Sequence, residues 1–234
     1  MNTPGINPVS PRLHELLQAV PHAYEKLVVD GQTPPGNRKL LEGITPDQLL
    51  SVPVKSRAHA YAMLAGVWLW FDGLTEAHEI AQADPRNLIA PVQSPQENSS
   101  KLSLAMLTPP AEGKDAADEE RYLADAGRSL AFWHAVMHRL EGDFSNSQYW
   151  YAKVGSHPIL PAIGATVGAA INHLPADKSL LSLLRDDWNP YAFVELVEEV
   201  NGRPDDPRRA TVIAIQQVEW QMLFDHCTRQ ACGR

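Results

Sequence analysis

Apolar residues recur at intervals of three and four along most of this chain, and no other feature constrains its fold as strongly. The clearest stretch begins at Ser56, and its apolar positions on one helix face are Tyr61, Leu64, Val67, Trp68, Phe71 and Leu74. The sequence contains no sustained alternation of β-branched and polar residues and no repeat of fixed period. It therefore predicts an all-α fold, a multi-helix bundle of about seven to nine helices.

A proline-rich segment interrupts the helical pattern between residues 85 and 115. Its prolines are Pro85, Pro91, Pro95, Pro109 and Pro110. So many prolines exclude one continuous helix, and connections of this length are typical of surface excursions or of lids over a site. We predict a single helical domain over residues 1–234, in which this connector is either an excursion or a lid.

Two helix boundaries affect the candidate site. The pattern from Ser56 predicts one helix that runs to about Ala83. Further along, helical spacing over 115–126 pauses near Gly127 and resumes over 129–141, which predicts two consecutive helices.

Charge and hydropathy exclude several classes of partner. The 28 acidic and 20 basic residues give a net charge of -8, and no block of Lys or Arg is present to neutralise a phosphate backbone, which argues against nucleic acid. The longest apolar runs, 60–71 and 159–171, are shorter than the roughly 20 residues that span a bilayer. With no signal-like N-terminal pattern, a cytoplasmic location is expected. Cys227 and Cys232 are predicted to be reduced thiols, because a five-residue helical spacing separates their side chains.

The strongest candidate site lies in FWHAVMHRLEGD, residues 132–143. His134, His138 and Glu141 have the spacing i, i+4, i+7 and share one face of a helix. Two imidazoles and a carboxylate are ligands that zinc and non-haem ferrous iron accept. The structural alternative is a buried histidine, a solvent-facing histidine and a glutamate that closes the helix.

A third histidine can join this group from another helix. If the helix that carries His78 packs beside His134, then His78 is either a third metal ligand or a general base. The alternative leaves Glu76 and Glu79 as a solvated face and His78 as a boundary residue.

Groups suited to substrate binding follow the histidine pair in GDFSNSQYWYAKVGSHP. We predict that Asp143, Asn146 and Tyr149 contact substrate, that His157 takes part in catalysis, and that Asp143 or Glu79 orients a metal ligand. Asp143 and Asn146 are equally suited to turns and caps, and Tyr149 to packing.

Several mechanisms lack their motifs. No phosphate-binding glycine-rich loop, dinucleotide fingerprint, G-x-S-x-G elbow or paired C-x-x-C is present. Ala135, Val136 and Met137 stand between the two histidines, so the glutamate base of an H-E-x-x-H metalloprotease is missing. A ferritin-like di-iron site would require two Glu-x-x-His pairs, and none is found.

Three blocks carry a resemblance: LWFDGLTEAHEIAQ, FWHAVMHRLEGDFSNSQYWYAKVGSHP and QQVEWQMLFDHC. Together they look like a group of uncharacterised bacterial and fungal helical proteins. The resemblance implies that the three blocks belong together in one fold, and it implies no activity.

These features favour an enzyme that acts on a polar small molecule at a histidine and carboxylate site between core helices, with a divalent metal, zinc or iron, bound there. A metal-free version uses the same histidines as acid and base. The competing hypothesis is a non-enzymatic ligand-binding or protein-interaction protein whose histidine pair is structural and whose aromatic stripes form a core or a homo-oligomer interface.

Overall fold

The computed structural model describes residues 9–20, 23–29, 31–88, 114–172, 177–184 and 187–233. These residues form twelve helices and no strand, which confirms the all-α fold. The helices α1 to α12 span, in order, Pro11–Ala19, Pro35–Leu41, Pro46–Leu49, Arg57–Trp70, Leu74–Ala81, Pro85–Leu88, Lys114–Glu141, Phe144–Val154, Leu160–Ile171, Lys178–Ser182, Pro190–Asn201 and Arg209–Ala231. Twelve is more than the predicted seven to nine because the count includes four very short helices, α2, α3, α6 and α10.

Helices α4, α7 and α12 form the centre, and their buried apolar side chains belong to one continuous cluster with those of the surrounding helices. Helix α7 packs against α4, α5 and α8, and α12 packs against α4, α9 and α11. A close approach at Gly66 ties the centre together. Trp220 Nε1 donates a hydrogen bond to the Gly66 carbonyl at 2.9 Å, and a Cβ at Gly66 would lie 2.6 Å from the Trp133 ring. The absence of a side chain therefore lets α4, α7 and α12 meet.

The single helix predicted from Ser56 to about Ala83 is two helices, α4 and α5. Asp72 adopts a positive φ of 61°, and a Cβ on Gly73 would lie 2.7 Å from the Trp68 ring. The apolar spacing continues through this turn, so periodicity alone does not reveal it. The turn redirects α5 so that it lies against α7.

The two helices predicted on either side of Gly127 are instead one helix, α7. A glycine inside a helix costs about 1 kcal/mol relative to alanine and does not by itself end the helix. Here Gly127 lies near Pro85, whose Cγ would be 3.5 Å from an added Cβ. Helix α6, which begins at Pro85, therefore packs against α7 near Gly127, where α7 continues without a break.

Other predictions concern the connector and the cysteines. Residues 89–113 lie outside the described residues, so the excursion or lid stays a prediction, as does the single domain. None of the described helices combines the length and apolar character needed to cross a lipid bilayer. Cys227 and Cys232 are buried and form no disulfide, and burial raises the pKa of the Cys227 thiol to about 12.

Candidate metal centre

Three imidazoles converge between α5 and α7. The ring centres of His78 and His134 are 4.7 Å apart, those of His134 and His138 4.8 Å, and those of His78 and His138 5.5 Å. One nitrogen from each ring lies within 4.8 Å of a nitrogen of the other two. We call this group the three-histidine cluster.

Local geometry places two members of the cluster and tertiary packing places the third. His134 and His138 are four residues apart on α7 and therefore lie one turn apart on the same face. His78 comes from α5, which the turn at Asp72 and Gly73 directs onto α7. Of the two alternatives for the third ligand, the structure brings His78, and not Glu141, into the cluster.

His134 is the most unusual residue of the cluster. Its side chain is 2% exposed, and neither ring nitrogen has a hydrogen-bond partner. The ring stacks on Trp150, with 3.7 Å between ring centres. Burial, followed by the neighbouring His138 and His78, lowers the pKa of His134 to about 3. Because nearly all buried polar groups in proteins are hydrogen-bonded, two unpartnered nitrogens on one buried ring call for an explanation.

His138, in contrast, has partners on both ring nitrogens. Its Nδ1 lies 3.0 Å from Glu141 Oε2, and its Nε2 lies 3.0 Å from Asn146 Nδ2. A carboxylate only accepts, so Nδ1 carries the proton and Nε2 is the acceptor nitrogen. Glu141 thus fixes the His138 tautomer in the way that carboxylates orient metal-binding histidines. Glu141 as a metal ligand stays a prediction; its carboxylate contacts His138 Nδ1, and the residue lines the same cavity as His78 and His138.

Two carboxylates and a small cavity lie near the cluster. The carboxylates of Glu141 and Glu79 act electrostatically to raise the pKa of His78, although burial and His138 outweigh them and the net shift is downward. A cavity of about 160 Å³ adjoins the cluster and is lined by His78, His138, Glu141 and Thr75, among others. The cluster therefore borders a small space beside negative charge.

Of the three residues predicted to contact substrate, only Asn146 has a hydrogen bond to a histidine of the cluster. Asn146 touches His138, as described above. Asp143 caps α8: its Oδ1 accepts hydrogen bonds from the Asn146 N–H and the Ser145 hydroxyl, which lowers the pKa of its carboxyl group. Tyr149 is 55% exposed, with its ring against Trp150. None of Asn146, Asp143 and Tyr149 lines the cavity.

His157, predicted to share the site with His78, lies in a different group of side chains. Its ring centre is 4.8 Å from that of His226, and its Nε2 is 3.1 Å from Ser129 Oγ. The sequence interpretation placed it with the histidine pair because it follows that pair closely in the chain. The turn after α8 and the packing of α12 carry it elsewhere.

Among the described residues, two groups of side chains are close enough to hold a metal. The second group consists of His59, Asp125 and His226. Asp125 Oδ2 lies 3.1 Å from His59 Nε2 and 2.9 Å from His226 Nε2. The other nitrogen of His59 lies 2.8 Å from Ser56 Oγ. We call this group the Asp125 network. The Nε2 atoms of both histidines thus have a carboxylate partner without an ion, in contrast to the nitrogens of His134.

Sequence reasoning missed the Asp125 network. His59 and Asp125 are 66 positions apart, and Asp125 and His226 are 101 positions apart. No short motif joins them.

A third polar group lies in the core. Arg139 and Glu219 form an ion pair in which neither side chain is exposed. The Arg139 guanidinium also donates to Tyr151 Oη at 2.7 Å, and Tyr151 donates to Glu219 Oε1 at 2.8 Å. Arg139 lies 4.6 Å from the centre of the Phe193 ring. This group joins α7, α8, α11 and α12 around a buried pair of charges.

Comparison with protein-family models, with curated proteins and with solved structures finds no match. The resemblance to a group of bacterial and fungal proteins therefore stays a prediction.

We expect acid to destabilise the metal-free protein partly through His157. Burial and His226 lower its pKa from 6.5 to about 3 in the folded protein. As the pH falls below 6.5 the unfolded chain binds this proton first, so stability decreases until the pH approaches 3. The slope is at most about 1.4 kcal/mol per pH unit for one such group.

Chemical denaturation between pH 6.5 and 4.5, with a chelator present, measures this effect. The variant His157→Gln should lose stability less steeply than the wild type. His14→Gln, which changes a histidine on the surface of α1, should match the wild-type slope. Equal slopes for all three proteins would show that His157 is not held neutral by the fold.

Proposed function

We propose that this chain is a small-molecule enzyme whose active centre is a divalent metal, preferentially zinc, held by His78, His134 and His138. The observation that carries the proposal is the unpartnered state of His134 inside the three-histidine cluster. A buried imidazole without hydrogen bonds is costly, and coordination to a metal would satisfy one of its nitrogens.

The spacing of the rings supports a metal of this size. Zinc binds histidine nitrogen at about 2.0–2.1 Å, which places the centres of two tetrahedrally arranged rings roughly 5.2 Å apart. The three observed separations are 4.7, 4.8 and 5.5 Å. Nitrogens bound to one tetrahedral zinc lie roughly 3.4 Å apart, whereas those of the cluster lie within 4.8 Å of one another, so the rings would turn toward a common point on binding.

The donor set favours zinc over ferrous iron. Non-haem iron oxygenases use two histidines and one carboxylate, whereas three neutral imidazoles suit zinc. Glu141 is engaged with Nδ1 of His138 and is not in the cluster. The lowered pKa of His134 keeps its ring neutral near pH 7, which is the form that binds a metal.

Catalysis requires a coordination position that the protein leaves open. Catalytic zinc sites have three protein ligands and one exchangeable water, whereas structural sites have four protein ligands. The cavity of about 160 Å³ beside His78 and His138 offers space for water and for part of a small polar substrate. A metal there would supply Lewis acidity and an acidified water. Asn146 would exchange its hydrogen bond to His138 Nε2 for one to water or substrate.

Metal analysis tests the first half of the proposal. Protein purified without added metal should contain close to one zinc per chain, and the double variant His134→Ala, His138→Ala should contain none. The matched control is His14→Ala, which should keep the wild-type content. Metal that persists in the double variant, or a folded wild type that binds none, contradicts the proposal and favours a structural histidine pair.

Cobalt substitution tests whether the site is catalytic. Cobalt(II) in the cluster should give the visible bands of a four-coordinate ion, and added azide should shift them by entering the open position. Bands that azide leaves unchanged would indicate a closed, structural site and would overturn the enzymatic half of the proposal.

A further inference from the structure

A second cavity lies away from the three-histidine cluster. It has a volume of about 620 Å³, which is within the usual range for small-molecule sites. Asp125, which lines it, and His134 are nine residues apart on α7. Nine residues correspond to two and a half turns, so these side chains leave opposite faces of the helix about 13 Å apart along its axis. The cavity is therefore separate from the proposed metal centre.

Positive charge is concentrated around this cavity. Three arginines line it, Arg121, Arg128 and Arg229, against one carboxylate, Asp125. The chain as a whole has a net charge of -8. A cationic cavity in an acidic protein is a local feature that overall composition does not explain.

The one carboxylate already has its partners. Both histidines of the Asp125 network contact its Oδ2, and Arg128 donates to its Oδ1 at 3.3 Å. Asp125 therefore does not compete strongly for a further cation. Instead it neutralises part of the positive charge of Arg128 and holds the ring of His226, which also lines the cavity, in place.

Donor groups remain for a ligand. With the residues that the structure describes, Arg128 forms only a long hydrogen bond to Asp125, from Nη2 at 3.3 Å, and 35% of its side chain is exposed. Within the described residues, no side-chain hydrogen bond or ion pair of Arg229 is found, and its charge acts on Asp225. Arg121 pairs with Asp118, but both side chains are mostly exposed, and such pairs are weak enough to exchange for a ligand.

We infer that this cavity, which we call the arginine cavity, binds a small organic molecule through its phosphate or carboxylate group. Arginine recognises both groups by paired, charge-assisted hydrogen bonds. Tyr122 and Pro161 line the same space and can cover the apolar part of the molecule. Arg128 and Arg229 are the principal anion contacts.

Calorimetric titration with inorganic phosphate and, separately, with acetate tests this inference. The full chain, treated with a chelator, should bind at least one of these anions saturably with one site per chain. Tighter binding of phosphate assigns a phosphate ester as ligand, and tighter binding of acetate assigns a carboxylate. No saturable binding of either anion overturns the inference.

Variants locate the binding. Arg229→Gln removes an exposed charge, and it should weaken binding by about 10-fold or more. Arg12→Gln, a matched change on the surface of α1, should leave binding unchanged. Equal binding by the wild type and by Arg229→Gln overturns the inference. The variant His134→Ala should bind the anion normally, so failure at the metal centre and failure at the arginine cavity give different results.

Discussion

Glu219→Leu should lower the free energy of unfolding by about 3 to 5 kcal/mol, because it leaves a fully buried arginine charge without its partner. Neither Arg139 nor Glu219 has an exposed side chain, and Tyr151 joins the two through hydrogen bonds. The leucine would also leave the Tyr151 hydroxyl without an acceptor. Urea denaturation at pH 7 measures the change.

Two further variants separate the buried ion pair from the loss of packing. The double variant Arg139→Met, Glu219→Leu removes both charges and should recover a large part of the stability lost in the single variant. Glu199→Leu, which disrupts the more exposed pairs of Glu199 with Arg203 and Arg208, should cost no more than about 1 kcal/mol. A loss below 1 kcal/mol for Glu219→Leu would contradict this account of the core.

His134→Leu should separate metal binding from stability. Zinc affinity should fall by at least about 100-fold. Loss of a group that only orients a metal ligand costs about 10- to 100-fold, and loss of a ligand itself should cost more. In the metal-free protein, however, the unfolding free energy should stay within about 1 kcal/mol of the wild type, or rise. The leucine removes two unpartnered buried nitrogens, which offsets the lost stacking on Trp150.

Zinc titration of chelator-treated protein measures the affinity, and denaturation with and without zinc measures the stability. Saturating zinc should stabilise the wild type and not the variant. His14→Leu on α1 is the matched control and should bind zinc as the wild type does. A large loss of stability in metal-free His134→Leu, with zinc affinity unchanged, would identify His134 as a structural residue.

The fold class was predictable because helical spacing is a local property of the sequence. The break between α4 and α5 was not, because Asp72 and Gly73 turn the chain where the apolar repeat continues unchanged. The continuity of α7 at Gly127 was missed because its local glycine signal is outweighed by packing. The first correction depends on a local turn that the apolar repeat does not show, and the second involves a contact between Gly127 and Pro85, which are far apart in the sequence.

The candidate site divides in the same way. His134 and His138 could be predicted as a pair because four-residue spacing fixes their common face. His78 could be named only on the condition that α5 packs on α7. The Asp125 network could not be found, because packing of distant segments brings its members together.

Diffraction from crystals of the zinc-loaded protein, with data collected on both sides of the zinc absorption edge, tests the central claim most directly. We predict one anomalous peak at which a nitrogen from each of His78, His134 and His138 lies about 2.0–2.1 Å from the ion. A peak at His59, Asp125 and His226 instead, or no peak with His134 still unpartnered in the core, would contradict the proposed metal centre.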